Sequence, residues 1–249
     1  MLKEERFGHI LSSLKKKGKV SFEDLSRELK VSEDTIRRDI ESLNGNGLLV
    51  KVRGGAISQS RNPLNFQDRT GYFSEEKNII GLKAQQLIKD GQTVFMDGGT
   101  TICSIARNLP ANSSFRLITN NTALIPIVAR LPKVTLVLLG GVYDRKLEVN
   151  TGGQTCSEIN KYVADLYFMG TCAVQKDFGI TAVYQPDGEI KQAMKNNAIK
   201  TYALGTSTKL NSTEHYKVCN IDEIQGLITD LSADDPKLDS YRNSGLQLI

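Results

Sequence analysis

The 249-residue chain has no long apolar run and no export-like start. Its longest apolar runs, such as residues 134–139, are far shorter than the roughly 20 residues that cross a bilayer. The N-terminus lacks an apolar core ahead of a small-residue cleavage site, which argues against export. We therefore expect a cytoplasmic protein without a membrane partner.

Cysteine and histidine are scarce, at four and two residues. The cysteines are scattered and form no CxxC pair, which predicts a reducing compartment and no structural zinc site. Neither a Walker-type phosphate loop nor a GxGxxG fingerprint is found, so the common nucleotide and dinucleotide sites are not supported. From the sequence we expect no metal, no cofactor and no catalytic residue.

The net charge of +4 is unevenly distributed along the chain. Residues 1–57 hold twelve Lys and Arg against nine Asp and Glu, whereas residues 58–249 hold twenty against nineteen. Most of the positive excess therefore lies in less than a quarter of the chain. Charge alone fits a solvated helical face as well as a nucleic-acid surface, so the positions of the charges must decide.

Three short helices are predicted within residues 1–57. Apolar residues recur at helical spacing from Phe7, and Gly18 ends that helix. Ser21 and Ser32 can cap the second and third helices by accepting hydrogen bonds from backbone N–H groups. The residues expected to face the core are Ile10, Leu11, Leu14, Leu25, Leu29, Ile36, Ile40 and Leu43.

The third helix leaves two adjacent arginines, Arg37 and Arg38, largely exposed to solvent. An α-helix fits the major groove of DNA, and Arg can donate two hydrogen bonds to guanine. A strand-like segment and a basic Gly-Gly turn follow, where Lys51 and Arg53 can pair with phosphates. The order of these features predicts a winged helix-turn-helix, and a helical bundle with a salt-bridged surface is the alternative.

The rest of the chain shows a different pattern. Residues 58–74 are interpreted as a linker, because they are largely polar, include Pro63 and lack clear periodicity. From residue 75 to 249, strands alternate with helices, which predicts a larger, mainly parallel α/β domain. The predicted strands are 93–96, 116–118, 134–139, 166–169, 202–204, 227–229 and 246–249. The predicted helices include one carrying Ile79, Ile80, Ala84, Leu87 and Ile88, and others at 101–109, 122–129, 189–200 and 235–243.

Three polar or Gly-rich loops follow predicted strands, at Asp97–Thr101, Thr119–Asn121 and Gly140-Gly141. Ligands of parallel α/β sheets bind beyond the carboxyl ends of the strands. Glycine allows close backbone approach, and helix N-terminal amides with Thr hydroxyls suit a phosphate. We therefore predict a phosphate-monoester site in which Lys209 adds positive charge and Asp97 meets sugar hydroxyls. Alternatively, the glycines form simple turns, Asp97 caps a helix, and the lysines are solvated.

The segment from Val31 to Ile40, together with Arg53-Gly54-Gly55-Ala56, resembles the signature of DeoR-type transcription regulators. The resemblance implies that the third helix is the recognition helix, although Arg53 stands where many members carry His. The residues predicted to bind DNA are Ser32, Thr35, Arg37, Arg38, Lys51, Arg53 and Gly54.

The resemblance continues through most of the chain and implies an effector domain similar to ribose-5-phosphate isomerase. Asp97–Thr101 matches the Asp-Ser-Gly-Thr-Thr loop of DeoR-type regulators, with Gly98 in place of Ser. Regulators of this type bind sugar phosphates or related metabolites. The residues predicted to bind the effector are Asp97, Gly98, Gly99, Thr100, Thr101, Thr119, Asn120, Asn121, Gly140, Gly141, Lys191 and Lys209.

Two departures from the family pattern remove acids near the expected site. Gly170-Thr171-Cys172-Ala173 stands where the family often has Gly-Ala-Asp-Gly, and Thr206-Ser207-Thr208-Lys209 stands where it has Asp-Ser-Ser-Lys. The family's Glu-x-x-Lys-x-x-Met segment is partly lost, since Glu189 lies only two residues before Lys191. The identity of the ligand is therefore left open.

The sequence predicts a DNA-binding transcription regulator, a repressor of carbohydrate or related genes, controlled by a small phosphorylated metabolite. We expect a homodimer or homotetramer held largely by the second domain, since pairing half-sites raises affinity. One alternative is a sugar-phosphate isomerase with an accessory DNA-binding domain, for which Asp97, Asp187 and Glu189 remain as candidate acids and bases. Another is a constitutive DNA-binding protein whose second domain only oligomerises.

Overall fold

The computed structural model describes residues 2–17, 19–45, 48–57, 65–242 and 244–249. The chain divides into two compact units, residues 1–72 and 73–249. Residues 58–64 of the predicted linker, and Gly18 at the predicted end of the first helix, lie outside the described residues. The described remainder of the linker region contains a short helix, in which Phe66 is buried.

The first unit consists of helices and a small antiparallel sheet. Its elements are α1 (Lys3–Lys17), β1 (Lys19–Ser21), α2 (Phe22–Leu29), α3 (Glu33–Gly45), β2 (Val50–Val52), β3 (Gly55–Ile57) and α4 (Phe66–Thr70). The sheet has the order β1-β3-β2, so the third strand pairs with both others. Helices α1, α2 and α3 followed by this hairpin confirm the predicted winged helix-turn-helix.

The predicted apolar faces form the core of the first unit. Ile10, Leu25, Ile36, Ile40 and Leu43 are almost completely buried and belong to one cluster. The predicted cap of α2 is also present, since Ser21 Oγ accepts a hydrogen bond from the backbone N–H of Asp24 at 3.0 Å. Local capping and helical periodicity thus place the turn between α2 and α3.

A seven-stranded sheet forms the centre of the second unit. Its strands are β4 (Thr93–Met96), β5 (Arg116–Thr119), β6 (Thr135–Leu138), β9 (Ala164–Gly170), β12 (Ala198–Leu204), β14 (Gly226–Ile228) and β15 (Gln247–Leu248). They lie in the order β15-β14-β12-β9-β4-β5-β6, and every neighbouring pair is parallel. Each of the seven strands overlaps a predicted one, and the expected parallel α/β fold is confirmed.

The remaining elements of the second unit surround this sheet. Its helices are α5 (Ser74–Gln85), α6 (Thr100–Asn108), α7 (Ile125–Val128), α8 (Gly153–Ile159), α9 (Gln185–Asn196) and α10 (Asp239–Arg242). A hairpin pairs β7 (Val142–Asp144) with β8 (Val149–Thr151), and an antiparallel sheet joins β10 (Ala173–Gln175), β11 (Gly179–Ala182) and β13 (Tyr216–Cys219). The sequence did not predict these five short strands or α8.

Several predicted helix bounds were wrong. The helix predicted at 189–200 begins at Gln185 and ends at Asn196, and the chain from 198 to 200 belongs to β12. The helices predicted at 122–129 and 235–243 each begin with a 3-10 turn, followed by α7 or α10. Ile79 is 40% exposed, and α5 ends before the predicted apolar residues 87 and 88.

Both faces of the central strands are buried, as a parallel sheet requires. Phe95 and Tyr167 lie on one face with ring centroids 6.4 Å apart, and both are fully buried. Phe168, the next residue of β9, stacks on Tyr202 at 6.3 Å. Since alternate residues of a strand point to opposite faces, the polar loops are left to the ends of the strands.

Candidate functional site

The N-terminus of α3 is held by the hydroxyls predicted on the recognition helix. Ser32 Oγ accepts the backbone N–H of Thr35 at 3.2 Å and lies 2.9 Å from Thr35 Oγ1. Ser32 is exposed and Thr35 is half-buried. These contacts fix the first turn of the helix, which is the part that meets base edges in helix-turn-helix proteins.

Arg37 and Arg38 are exposed, as predicted, but their environments differ. The Arg37 guanidinium lies 4.8 Å from the centre of the Phe22 ring and 3.8 Å from the Glu33 carboxylate. Within the described residues, no acid pairs with Arg38. Contacts with Phe22 of α2 and Glu33 of α3 therefore orient Arg37, whereas Arg38 is exposed and makes no ion pair among the described residues.

The turn after β2 carries the second basic group. Gly54 adopts φ of 86° and its carbonyl accepts the backbone N–H of Phe22, which docks the turn against the start of α2. Arg53 is exposed. Lys51 was expected to be available to phosphates, but its ammonium pairs with Glu41 of α3. A hydrogen bond from Lys51 and its charge lower the pKa of Glu41.

The first unit also contains an ion pair that the sequence did not predict. Arg6 of α1 donates to both carboxylate oxygens of Asp39 on α3, at 2.6 and 3.1 Å. Asp39 is charged but only 3% exposed, because it lies beside the predicted core positions of α3. Its position within the buried stripe, three residues after Ile36, was the signal that could have revealed it.

In the second unit, the loop after β4 leads into α6 through two glycines. Gly99 adopts φ of 120°, and a β-carbon there would meet nothing within 4 Å. Among the described residues no side chain caps α6, so its first backbone N–H groups are left to another partner. A β-carbon at Gly98 would lie 2.6 Å from Val149 Cγ1, which accounts for glycine where the family has Ser.

Asp97 is fully buried rather than open to a ligand. Its Oδ2 accepts hydrogen bonds from Tyr167 Oη and Lys191 Nζ, both at 2.7 Å, and its Oδ1 accepts the backbone N–H of Gly170 at 2.8 Å. Burial raises the pKa of Asp97, although Lys191 opposes this rise. The expected contact between this carboxylate and sugar hydroxyls does not fit, because both oxygens are engaged by the protein.

Lys191 lies in the interior, so its interpretation as part of a solvated helix face is wrong. It is 2% exposed and contacts Asp97 and, at 3.1 Å, Asp187 of its own helix. Burial disfavours the ammonium, but the two carboxylates outweigh this effect and raise the pKa of Lys191. The carboxylate that contacts this lysine from its own helix is therefore Asp187, one turn earlier, and the i, i+4 spacing could have identified it.

The loop after β5 is anchored on both sides. Asn121 Nδ2 lies 3.3 Å from the carbonyl of Asp97 and 3.5 Å from that of Gly99, and Asn121 Oδ1 accepts the N–H of Ala123. Asn120 Nδ2 donates to the carbonyl of Asn150 at 2.8 Å. Within the described residues the buried Asn120 Oδ1 has no partner. Asn121 therefore joins two predicted loops, and Asn120 offers a free acceptor.

Gly140 and Gly141 connect β6 to the β7–β8 hairpin. The Gly140 carbonyl accepts the hydroxyl of Thr155 at 2.6 Å, and its N–H donates to Glu158 at 2.8 Å. Gly141 adopts φ of 139°, and a β-carbon there would lie 2.1 Å from Thr155 Oγ1. Gly141 is therefore required by the packing of α8, whereas a β-carbon at Gly140 would meet only the ends of the Gln154 and Glu158 side chains, at 3.2 Å or more.

Lys209 extends the cluster to the strands beyond β9. Its ammonium donates to the carbonyl of Thr171, in the loop where one of the two family acids is replaced. Burial raises the pKa of the neighbouring Cys172 thiol, and Asp187 raises it further. Thr206 and Thr208 face each other at 2.9 Å in the loop that carries Lys209. Apart from Lys191, which reaches Asp97 from α9, the predicted effector residues therefore lie along one edge of the sheet, after β4, β5, β6 and β12.

The part of the chain that the structure describes contains no group of three or more His, Cys, Asp or Glu placed to hold a metal ion. Within the same residues, no helix is both long and apolar enough to cross a membrane.

Residues 6–62 match the DeoR-like helix-turn-helix domain, and residues 73–231 match the DeoR C terminal sensor domain. The chain belongs to the DeoR family. The HTH-type transcriptional repressor GlcR of Bacillus subtilis (strain 168) is 32% identical over 251 residues, covering 100% of this chain and 96% of the relative. The lactose phosphotransferase system repressor of Lactococcus lactis subsp. lactis is 30% identical, covering 97% and 96%.

Among solved structures, ribose 5-phosphate isomerase A from Methanocaldococcus jannaschii has 17% sequence identity and a TM-score of 0.41, covering 55% of this chain and 54% of that one. A similarity at this level identifies no activity. As a member of the DeoR family, the protein is a DNA-binding transcription regulator whose DNA-binding and sensor domains are separate.

Proposed function

We propose that this DeoR-family regulator represses genes of carbohydrate or related metabolism and releases its operator when a small phosphorylated metabolite, such as a sugar phosphate, binds the sensor domain. The observation that carries the proposal is the N-terminus of α6, where Gly99 leaves open space beside uncapped backbone amides. Such a terminus favours an anion. The repressor names of the relatives support the assignment to repression.

The predicted effector residues divide into two roles in this proposal. Asp97, Thr119 and Asn121 are buried and hold the loops and Lys191 in position. The groups that would contact the effector are the backbone amides at Gly99, Thr100 and Thr101, the buried acceptor of Asn120, and Lys209, whose ammonium also donates to the Thr171 carbonyl. Gly98 and Gly140-Gly141 allow the close packing that brings these groups together.

DNA binding is assigned to one face of the first unit. Arg38 and Arg37 would meet base edges, Ser32 and Thr35 would contact the backbone from the helix N-terminus, and Arg53-Gly54 would approach a phosphate from the turn. We expect this partner to be double-stranded operator DNA in the cytoplasm. A homodimer or homotetramer, assembled through the second unit, would pair two half-sites.

The isomerase alternative is not favoured by the arrangement of the candidate acids and bases. Isomerisation needs a carboxylate free to move a proton at a substrate carbon. Asp97 and Asp187 are engaged by Lys191, and Glu189 accepts a hydrogen bond from Gln185 at 2.7 Å. A regulatory role makes no such demand on these carboxylates.

The proposal is tested by a thermal-shift screen of sugar phosphates, each paired with its unphosphorylated sugar. A ligand at one hundred times its Kd should stabilise its domain by roughly 2.7 kcal/mol. Each hit is then added to a complex with a duplex that the protein has enriched from a random-sequence library. We expect release of the duplex by a phosphorylated compound and not by its sugar; stabilisation without release would reject effector control.

The same duplex tests the DNA-binding face. Arg37→Ala combined with Arg38→Ala should abolish specific binding, because one lost bidentate base contact costs roughly 1–3 kcal/mol. Gel-shift titration of the folded double variant measures this loss. Wild-type affinity in that variant would show that α3 does not read the operator.

A further inference from the structure

Glu41 is an acid on the face of α3 that the proposed function directs toward DNA. It is exposed and lies one helical turn after Arg37 and Arg38. A carboxylate near phosphates is repelled by them, so an unpaired acid at this position would weaken operator binding. In the structure, the ammonium of Lys51 balances the charge of Glu41.

Lys51 of β2 makes two contacts with α3. Its ammonium lies 2.5 Å from Glu41 Oε1, and its backbone N–H donates to Asn44 Oδ1 at 2.8 Å. Glu41 and Asn44 are three residues apart and therefore neighbours on one helical face. The β2–β3 hairpin, with its turn at Arg53-Gly54, is the wing of this domain. A single residue of the wing, Lys51, is thus held by two residues of the recognition helix α3.

These contacts set the position of the wing within the first unit. Strand β2 pairs with β3 through Lys51 opposite Ala56 and Val52 opposite Gly55, and the turn at Arg53-Gly54 joins the two strands. Holding Lys51 against α3 therefore holds the turn at a fixed distance from the helix. The separation between helix and wing decides whether both can reach the same stretch of DNA.

We infer that Glu41 and Lys51 form a strut that positions the wing against the recognition helix, and that Lys51 does not bind a phosphate. The inference rests on the proposed DNA-binding face. It replaces the expectation from the sequence that Lys51 pairs with the DNA backbone. Glu41 and Lys51 are positioning residues, while Arg53 remains the wing residue that approaches the phosphates.

The salt dependence of binding separates a strut from a phosphate contact. Loss of one phosphate contact lowers the slope of log affinity against log salt concentration by about one. We compare the full-length wild type with Lys51→Met, Glu41→Gln and the double variant on the enriched duplex. Arg53→Met calibrates the slope change that a lost wing contact produces.

Lys51→Met removes the ion pair that holds the wing against α3, so we expect affinity to fall roughly two- to fivefold while the slope stays at the wild-type value. Glu41→Gln breaks the same ion pair, so it should lower affinity in the wild-type background, by less because it also removes a charge that phosphates repel, and should cause no further loss in the Lys51→Met background. A slope reduced by about one in Lys51→Met, or equal effects of Glu41→Gln in both backgrounds, would overturn the strut.

Circular dichroism and thermal melting check that each variant is folded. If Lys51→Met does not fold, Lys51→Gln, which keeps a polar side chain, replaces it in the same cycle. Failure of the wild-type protein to enrich any duplex would reject the proposed DNA-binding face. If the wild type does bind, a slope reduced by about one in Lys51→Met would reject the strut and leave the proposed DNA-binding face in place.

Discussion

The sensor domain holds a charged lysine in its interior, between two carboxylates. The side chain of Lys191 is 3% exposed and that of Asp97 is fully buried. Removing one partner of a buried pair leaves the other charge uncompensated, at a cost of roughly 3–5 kcal/mol. We therefore expect Lys191→Met to lower the free energy of unfolding of the second unit by roughly 3 kcal/mol, measured by urea denaturation.

The pH dependence of this loss follows from Asp97. Burial raises its pKa above the ordinary value of 3.8. The folded protein thus holds this proton more tightly than the unfolded chain, an advantage present at low pH and lost as pH rises through the raised pKa. Without Lys191 the pKa rises further, so the destabilisation by Lys191→Met should be smaller at about pH 5 than at about pH 8.

Two further variants control this measurement. Lys217 is exposed on β13, and Lys217→Met should change stability by no more than about 0.5 kcal/mol. Adding Asp97→Asn to Lys191→Met should restore part of the stability, because it removes the uncompensated charge. An equal loss in Lys217→Met, or a loss independent of pH, would contradict the role given to the buried pair.

At the level of elements, local sequence determined the strands of the large sheet better than the helix ends. β4 has its predicted bounds, since an apolar run is enclosed by Gly91 and Asp97. The start of β12 was assigned to a helix because residues 198–200 continue a helical pattern. In the structure Ala198 pairs with Ala164 of β9, and this long-range pairing overrides local preference.

In the candidate site, too, local sequence predicted the loops, whereas contacts between distant residues were not predictable. Its loops could be predicted because glycines, threonines and asparagines follow apolar strands within a few residues. The burial of Asp97 could not, because its partner Lys191 lies 94 residues away on α9. Likewise, the sequence predicts a solvent-exposed cation at Lys51. In the structure the hairpin brings Lys51 to Glu41, ten residues earlier in the chain.

Gly141 provides a test of how tightly the loop after β6 is packed. Its φ of 139° strains any other residue, and a β-carbon would lie 2.1 Å from Thr155 Oγ1 and 2.7 Å from the carbonyl of Thr151. Backbone strain and overpacking each cost roughly 1–3 kcal/mol. We expect Gly141→Ala to lower the free energy of unfolding by roughly 2 kcal/mol or more, measured by denaturant titration.

Gly91 is the matched control for this substitution. It also has a positive φ, of 81°, but a β-carbon there would meet nothing within 4 Å. Gly91→Ala should therefore cost about 1–2 kcal/mol through backbone strain alone. Equal losses in the two variants would mean that α8 can move away from the loop without cost.

At the level of the whole molecule, the edge strand β6 lies in an uncharged stretch from residue 134 to 143. An exposed apolar edge without charge favours association. We expect light scattering to show a dimer or tetramer of the full chain. Val142 lies in the same uncharged stretch and is exposed, so Val142→Asp should weaken this association. Val163, equally exposed at 72%, provides the control Val163→Asp. A monomeric wild type, or equal effects of both variants, would contradict this assignment.

Effector control requires that the sensor site can be disabled without loss of DNA binding, because the two activities belong to separate domains. Gly99→Asp places a carboxylate in the open space at the α6 N-terminus, where it would repel a phosphate and satisfy the amides itself. We expect this variant to bind the enriched duplex like the wild type and to keep it at phosphorylated-effector concentrations that release the wild type. Gly99→Ala carries the same backbone strain without the charge, so it should still respond. If Gly99→Asp responds like the wild type, or Gly99→Ala is equally unresponsive, the effector's phosphate is not bound at this helix terminus.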